Sequence, residues 1–212
     1  MSHLTLYSYW RSSSSWRVRW ALAHKGISYS LKEVNLLAED QLAPGYLKYS
    51  PTGTVPCLVL PNGNAYGESL PILEWLEETY PTPPLLPQDP ESRLAVRQLA
   101  HVIISQIQPL QNLSVLKKLT QDGLASRDWA RHWIQKGLGA FEALLEGKNC
   151  SGTYCFGGEL TWADLCLVPQ CYNARRFDVD LELFPRIRGI EGRCLKLPSC
   201  QSAFPRDPKI QP

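Results

Sequence analysis

Long apolar runs are missing: no stretch of the 212-residue sequence approaches the roughly 18 unbroken apolar residues that a membrane-spanning helix needs. The N-terminus lacks a basic region followed by an apolar core, so no signal peptide is expected and a soluble, cytoplasmic protein is. Strong charge of either sign is missing too. A formal net charge of +2 and an isoelectric point near 8.1, with Lys and Arg scattered, argue against a nucleic-acid or polybasic membrane surface. Small anionic substrates stay open. The seven cysteines, at 57, 150, 155, 166, 171, 194 and 200, contain no Cys-x-x-Cys pair, and His3, His24, His101 and His132 lie far apart. Zinc and dithiol redox chemistry are therefore poor readings, and no metal is expected. Most of the cysteines lie in apolar segments and read as buried, reduced thiols, with Cys150 and Cys155, beside Gly-rich sequence, as the exposed exceptions. There is no internal repeat, and no low-complexity tract beyond four serines and a run of prolines.

What is present is punctuated at the start. Leu4-Thr5-Leu6-Tyr7-Ser8-Tyr9 alternates as a strand does, Ser14 to His24 reads as a helix ending at Gly26, and Ile27 to Val34 is a second strand. This is a β-α-β unit. At its first junction stands Arg11-Ser12-Ser13-Ser14-Ser15-Trp16-Arg17-Val18-Arg19. Hydroxyls at a helix start meet N–H groups that have no intrahelical partner, which suits either plain capping or an anion or thiolate. Both readings are open on the local sequence. A second hydroxyl stands at Glu68-Ser69, before a helix whose first turn accommodates Pro71. Between the two, Pro56 heads an apolar strand, Cys57 to Leu60.

The segment Tyr80-Pro81-Thr82-Pro83-Pro84-Leu85-Leu86-Pro87 cannot continue a helix, and reads as a linker between domains 1–82 and 83–212. At this length the chain can bury a sizeable core as one large or two modest domains. Beyond the linker the pattern is helical. Leu94, Leu99, Val102, Ile103, Ile107 and Leu110 fall on one stripe of a long helix that Pro109 bends. Ser126 is placed to cap another, and Thr161-Trp162-Ala163-Asp164 has the form of a capping box with a structural task.

Taken together, these pieces resemble the zeta class of glutathione transferases, the family of maleylacetoacetate isomerase. The family signature Ser-Ser-Cys-x-Trp-Arg-Val-Arg stands here as Ser12-Ser13-Ser14-Ser15-Trp16-Arg17-Val18-Arg19. Val55-Pro56, Glu68-Ser69, the segment Ile107 to Ser114, Ala163 to Gln170 and Arg176 to Leu181 extend the likeness over nearly the whole chain. The resemblance implies an α/β thioredoxin-like N-terminal domain, an all-α C-terminal domain carrying the substrate site, and a twofold homodimer.

It also implies glutathione as cofactor and a small anionic maleyl compound as substrate. Ser12, with Ser13 and Ser14 in support, would hold the glutathione sulfur as thiolate. Glu68 and Ser69 would hold the γ-glutamyl end, and Val55, before a cis bond to Pro56, would pair with the cysteinyl backbone. Gln41, Gln108, Asn112, Leu113 and Ser114 match ligand-binding positions, and Arg11 and Arg176, with Arg175 as alternative, match substrate-binding arginines. The implied reaction is cis–trans isomerisation of maleylacetoacetate in tyrosine and phenylalanine breakdown. Maleylpyruvate isomerisation, transfer to α-halo acids and a non-catalytic glutathione-binding module are the alternatives. One departure stands out: the family cysteine is Ser14 here, which argues against a reductive thiol-transfer enzyme, whose thiol would form a mixed disulfide with glutathione.

Overall fold

The first strand pairs with the second because a twelve-residue helix returns the chain across the sheet. β1 (Leu4–Ser8), α1 (Ser13–His24) and β2 (Tyr29–Glu33) form a parallel unit, with Leu4 opposite Tyr29 and Ser8 opposite Glu33. These coordinates are a computed structural model that describes residues 3–147 and 153–206. α1 stops where the sequence stops it. Gly26 takes φ +65°, its N–H reaches Ala23 O at 3.2 Å, and the Ile27 N–H reaches Leu22 O at 2.9 Å, closing a Schellman motif.

After a short helix α2 (Pro44–Leu47), β3 (Cys57–Val59) lies antiparallel to β1, and β4 (Ala65–Gly67) lies antiparallel to β3. The sheet order is β2-β1-β3-β4, followed by α3 (Ser69–Thr79). The Val55–Pro56 bond is cis, as expected, and so is Thr82–Pro83. α1 is buried nearly all round: Trp16, Val18, Trp20 and Leu22 are at most 2 % exposed, and Arg17 and Arg19 are buried with them. At the C-terminal end of α1, Lys25 Nζ lies 2.8 Å from the Tyr80 and Pro83 carbonyls and 2.9 Å from Glu77 Oε2. It thereby fixes the end of α3 and the chain that leaves it.

The chain divides into two compact units, residues up to Pro84 together with those from Pro198 onward, and Leu85–Leu197. The division thus falls two residues beyond the expected 82/83 boundary. The last described helix, α9 (Pro198–Ala203), belongs with the first unit, where the expectation assigned all of 83–212 to the helical half. The reason lies on α1. Arg19 Nε and Nη2 donate to Ala203 O, Trp20 Nε1 donates to Ser199 Oγ at 3.1 Å, and Trp16 meets Phe204 edge-on at 5.2 Å.

The second unit holds α4 (Pro90–His101), α5 (Leu113–Gln121), α6 (Ser126–Leu144), α7 (Trp162–Arg176) and α8 (Pro185–Cys194). Three local expectations change here. Leu94 is 67 % exposed, because the buried stripe runs through Val96, Leu99, Ala100, Ile103 and Ile107, which keep helical spacing without it. The break in this long helix precedes Pro109: Val102–Ile107 is a π-helical turn, closed by the Gln108 N–H on Ile103 O at 2.9 Å. Ser126 is the first residue of α6 rather than its cap, and its hydroxyl accepts from Thr120 Oγ1. Among the described residues, no helix is long and apolar enough to cross a membrane.

The cap of α7 is realised through its aspartate. Asp164 is fully buried and accepts from the Thr161 N–H at 2.8 Å, the Thr161 hydroxyl at 2.9 Å and the Cys155 N–H at 2.8 Å. Cys155 is consequently buried, not exposed as expected, and Cys150 lies outside the described residues.

Candidate active site

Ser12 caps α1 with extended backbone (φ −68°, ψ 123°), and its Oγ accepts from the Ser15 N–H at 3.2 Å. A hydroxyl has one proton, and this one is not spent on the cap. No acceptor for it occurs among the described residues. Ser13 and Ser14 follow in the first turn and are half-buried like Ser12, whereas Ser15 is enclosed. Three of the four serines can therefore meet a ligand. Arg11 lies beside them, its guanidinium 5.4 Å from the Trp10 ring centroid and in no ion pair among the described residues.

The start of α3 repeats the arrangement with a different donor. Ser69 is 6 % exposed, and its Oγ accepts from Arg17 Nη1 at 2.5 Å. Before it, Glu68 is exposed and held at φ 61°, ψ 118°, a backbone region that L-residues rarely occupy and that concentrates at ligand clamps. At Val55, no backbone hydrogen bond among the described residues uses the N–H or the C=O, which leaves a strand edge open to an extended peptide. The loop ahead of it is fixed: Thr54 O accepts from Tyr46 Oη at 2.5 Å and from Ser50 Oγ at 3.0 Å. Gln41 stands in a one-turn 3₁₀ segment with its Oε1 buried and without a partner among the described residues.

The remaining expected residues belong to the helical unit. Gln108, Asn112, Leu113 and Ser114 form the corner from the π turn into α5, where Asn112 Oδ1 accepts from the N–H and hydroxyl of Ser114 at 3.0 and 2.9 Å. Asn112 and Ser114 thus have a capping task of their own. A buried amide pair, Gln111 with Gln170, exchanges two hydrogen bonds of 2.8 and 3.1 Å and pins this corner. Arg176 ends α7, with Nη1 2.7 Å from Asn173 Oδ1. Its backbone and that of Phe177 are held by Arg127 and Arg131, which also meet Asp178. Arg175, the alternative, is committed to Glu191 by two bonds of 2.5 and 2.7 Å.

The six described cysteines are all buried. Burial pushes the Cys57 thiol up to about 11 and those of Cys155 and Cys171 higher than an ordinary thiol. Arg17, Arg19 and Lys25 were not singled out by sequence reasoning, although charges inside the apolar α1 pattern are the signal that marks them. Burial lowers Arg19 to about 10, still cationic at neutral pH. It donates to Ser8 Oγ, Tyr9 O and Trp10 O, bracing the loop that leads into Arg11 and Ser12.

A four-stranded thioredoxin-like sheet with a serine at the head of α1 and another at the head of α3, joined in sequence to an all-helical unit, defines the glutathione transferase class. The family model for the glutathione S-transferase N-terminal domain matches residues 11–79. Maleylacetoacetate isomerase of Rattus norvegicus is 46% identical over 202 residues, covering 94% of this chain and 91% of that protein. Maleylacetoacetate isomerase of Anaeromyxobacter dehalogenans, solved with glutathione in its active site, superposes with a TM-score of 0.88 at 44% identity and 97% coverage of both chains. A holo maleylpyruvate isomerase, a bacterial zeta-class enzyme, gives a TM-score of 0.91 at 40% identity over 95% of this chain and 96% of its own. The chain belongs to the zeta-class glutathione transferases, the family of the maleylacetoacetate isomerases.

Proposed function

We propose that the protein is a glutathione-dependent cis–trans isomerase that converts maleylacetoacetate to fumarylacetoacetate. The observation that carries this reading is the hydroxyl of Ser12, turned into a donor by the cap it makes at the head of α1. Bound glutathione supplies the thiolate that adds to the conjugated cis double bond, leaves a single bond free to rotate, and departs on elimination.

The chain's own residues do the rest. An unperturbed thiol has a pKa of about 8.5, and each unit of depression takes roughly 1.4 kcal/mol of preferential anion stabilisation. The Ser12 donor and the N-terminal end of α1 supply one or two such units, with Ser13 and Ser14 adjoining. Val55 offers backbone pairing to the cysteinyl residue, Ser69 and Glu68 take the γ-glutamyl end, and Gln41 adds a polar contact. Gln108, Asn112, Leu113 and Ser114 are assigned to the ligand from the helical unit. Arg11 and Arg176 are assigned to the carboxylates and developing enolate of the maleyl substrate. The reading extends to a twofold homodimer in the cytoplasm.

Ser12→Ala tests it. Glutathione affinity stays within a few-fold, because the lost bond mainly serves the anion, while kcat on maleylacetone falls roughly 10- to 100-fold. The ultraviolet thiolate titration of bound glutathione moves toward higher pH by one to two units. Undiminished kcat with an unmoved titration refutes the role of Ser12. Parallel assays with maleylpyruvate and dichloroacetate rank the sister activities, the first favoured by the likeness to the maleylpyruvate isomerase. No turnover of any of the three removes the isomerase reading.

A further inference from the structure

The C-terminal end of α7 is built around a residue that suits it poorly. The Val179 N–H reaches Ala174 O at 3.1 Å and the Asp178 N–H reaches Arg175 O at 3.2 Å, a Schellman motif whose left-handed position, at φ 56°, falls to Asp178. Glycine is the ordinary occupant there, because a Cβ is strained at that φ. The carboxylate explains the aspartate. Its Oδ2 accepts from Arg127 Nε at 3.1 Å, from Arg127 Nη2 at 2.6 Å and from Arg131 Nη2 at 3.3 Å. The same two guanidiniums, one turn apart on α6, reach the backbone as well: Arg127 Nη2 donates to Arg176 O at 3.0 Å and Arg131 Nε to Phe177 O at 3.1 Å.

As a stabilising device this is weak. The three side chains are largely exposed, where ion pairs contribute little, and the backbone at Asp178 is strained. What the arrangement fixes is position. Two planar forks tie a carboxylate and two carbonyls together, so the Arg176 backbone is held from outside its own helix, while its Nη1 lies 2.7 Å from Oδ1 of the buried Asn173. We propose that Arg127, Arg131 and Asp178 are positioning residues, a clamp that aims Arg176 at a carboxylate of the maleyl substrate and so sets substrate affinity without touching the substrate. The inference rests on the assignment of Arg176 to the substrate made above. The Arg127 hydrogen bond holds the Asp178 carboxyl below its ordinary pKa, so the clamp stays charged at neutral pH.

Asp178→Gly separates positioning from stability, since glycine relieves the backbone while deleting the carboxylate that gathers the two arginines. The denaturation midpoint stays close to native, KM for maleylacetone rises roughly 3- to 10-fold, and KM for glutathione and kcat change little. Asp178→Asn, which tolerates the same φ and keeps a neutral acceptor, falls between. On an Arg176→Ala background Asp178→Gly adds nothing further to KM, because the clamp acts through that residue. A folded Asp178→Gly protein with native KM for maleylacetone overturns the inference, and so does an undiminished further rise on the Arg176→Ala background. If Arg176→Ala alone leaves that KM native, the assignment of Arg176 falls and the inference with it, while the glutathione reading stands. Should Asp178→Gly fail to fold, Arg127→Met carries the same cycle with Arg176→Ala, with the same outcomes deciding.

Discussion

Ser12 and Ser69 each receive a donor, a backbone N–H in one case and a guanidinium in the other, and each is left with a proton to give. This is a cheap way to bias a neutral side chain toward anions, because the orientation is fixed before any ligand arrives. The described thiols of the protein itself are withdrawn from solvent. Cys57, Cys155, Cys166, Cys171, Cys194 and Cys200 are all buried, and desolvation raises the thiols of Cys57, Cys155 and Cys171. Alkylation of the native protein at pH 8 followed by peptide mass mapping is expected to leave these six unmodified. Labelling at any of them without unfolding contradicts their burial as inert thiols.

At the scale of the element, the cap of α7 shows how far a motif reads and where reading stops. Thr161→Ala removes one of three bonds to Asp164 and should cost about 1 kcal/mol. Asp164→Ala strands three donors, one of them in the Cys155 loop, and should cost on the order of 3 kcal/mol in chemical denaturation. Equal effects would deny the aspartate its wider reach. Burial outweighs those bonds and raises the Asp164 pKa above 3.8, so its linkage contribution is present below 3.8 and lost as pH rises through the folded value. Thr161 and Asp164 were legible because a cap is local, and so were Gly26 and the strand behind Pro56. The Cys155 contact, the π turn before Pro109 and the exposure of Leu94 were not. Each depends on which neighbour fills the space: Gly137, for instance, sits so close to Ile107 that an added Cβ would lie 2.2 Å from its side chain. The serine heads of α1 and α3 could be found from sequence, but the guanidinium behind Ser69 belongs to a residue 52 positions away.

For the whole molecule, the telling feature is that the first unit is finished by the last described helix. A chain ending at Leu197 loses the Ala203 carbonyl under Arg19, the Ser199 hydroxyl on Trp20 and the Phe204 ring on Trp16. The expected loss is about 3 kcal/mol, a melting point lower by roughly 6–12 °C, and red-shifted tryptophan emission. Unchanged melting would mean that α9 is ornamental. Synthesis from the N-terminus adds a temporal dimension. Between the emergence of Pro84 and of Pro198 from the ribosome, on the order of ten seconds pass in which two tryptophans and an arginine of α1 await their cover. A nascent chain of this kind cannot complete its first unit until Pro198–Ala203 has emerged, and a product that stops short of that helix leaves those aromatic rings without their cover.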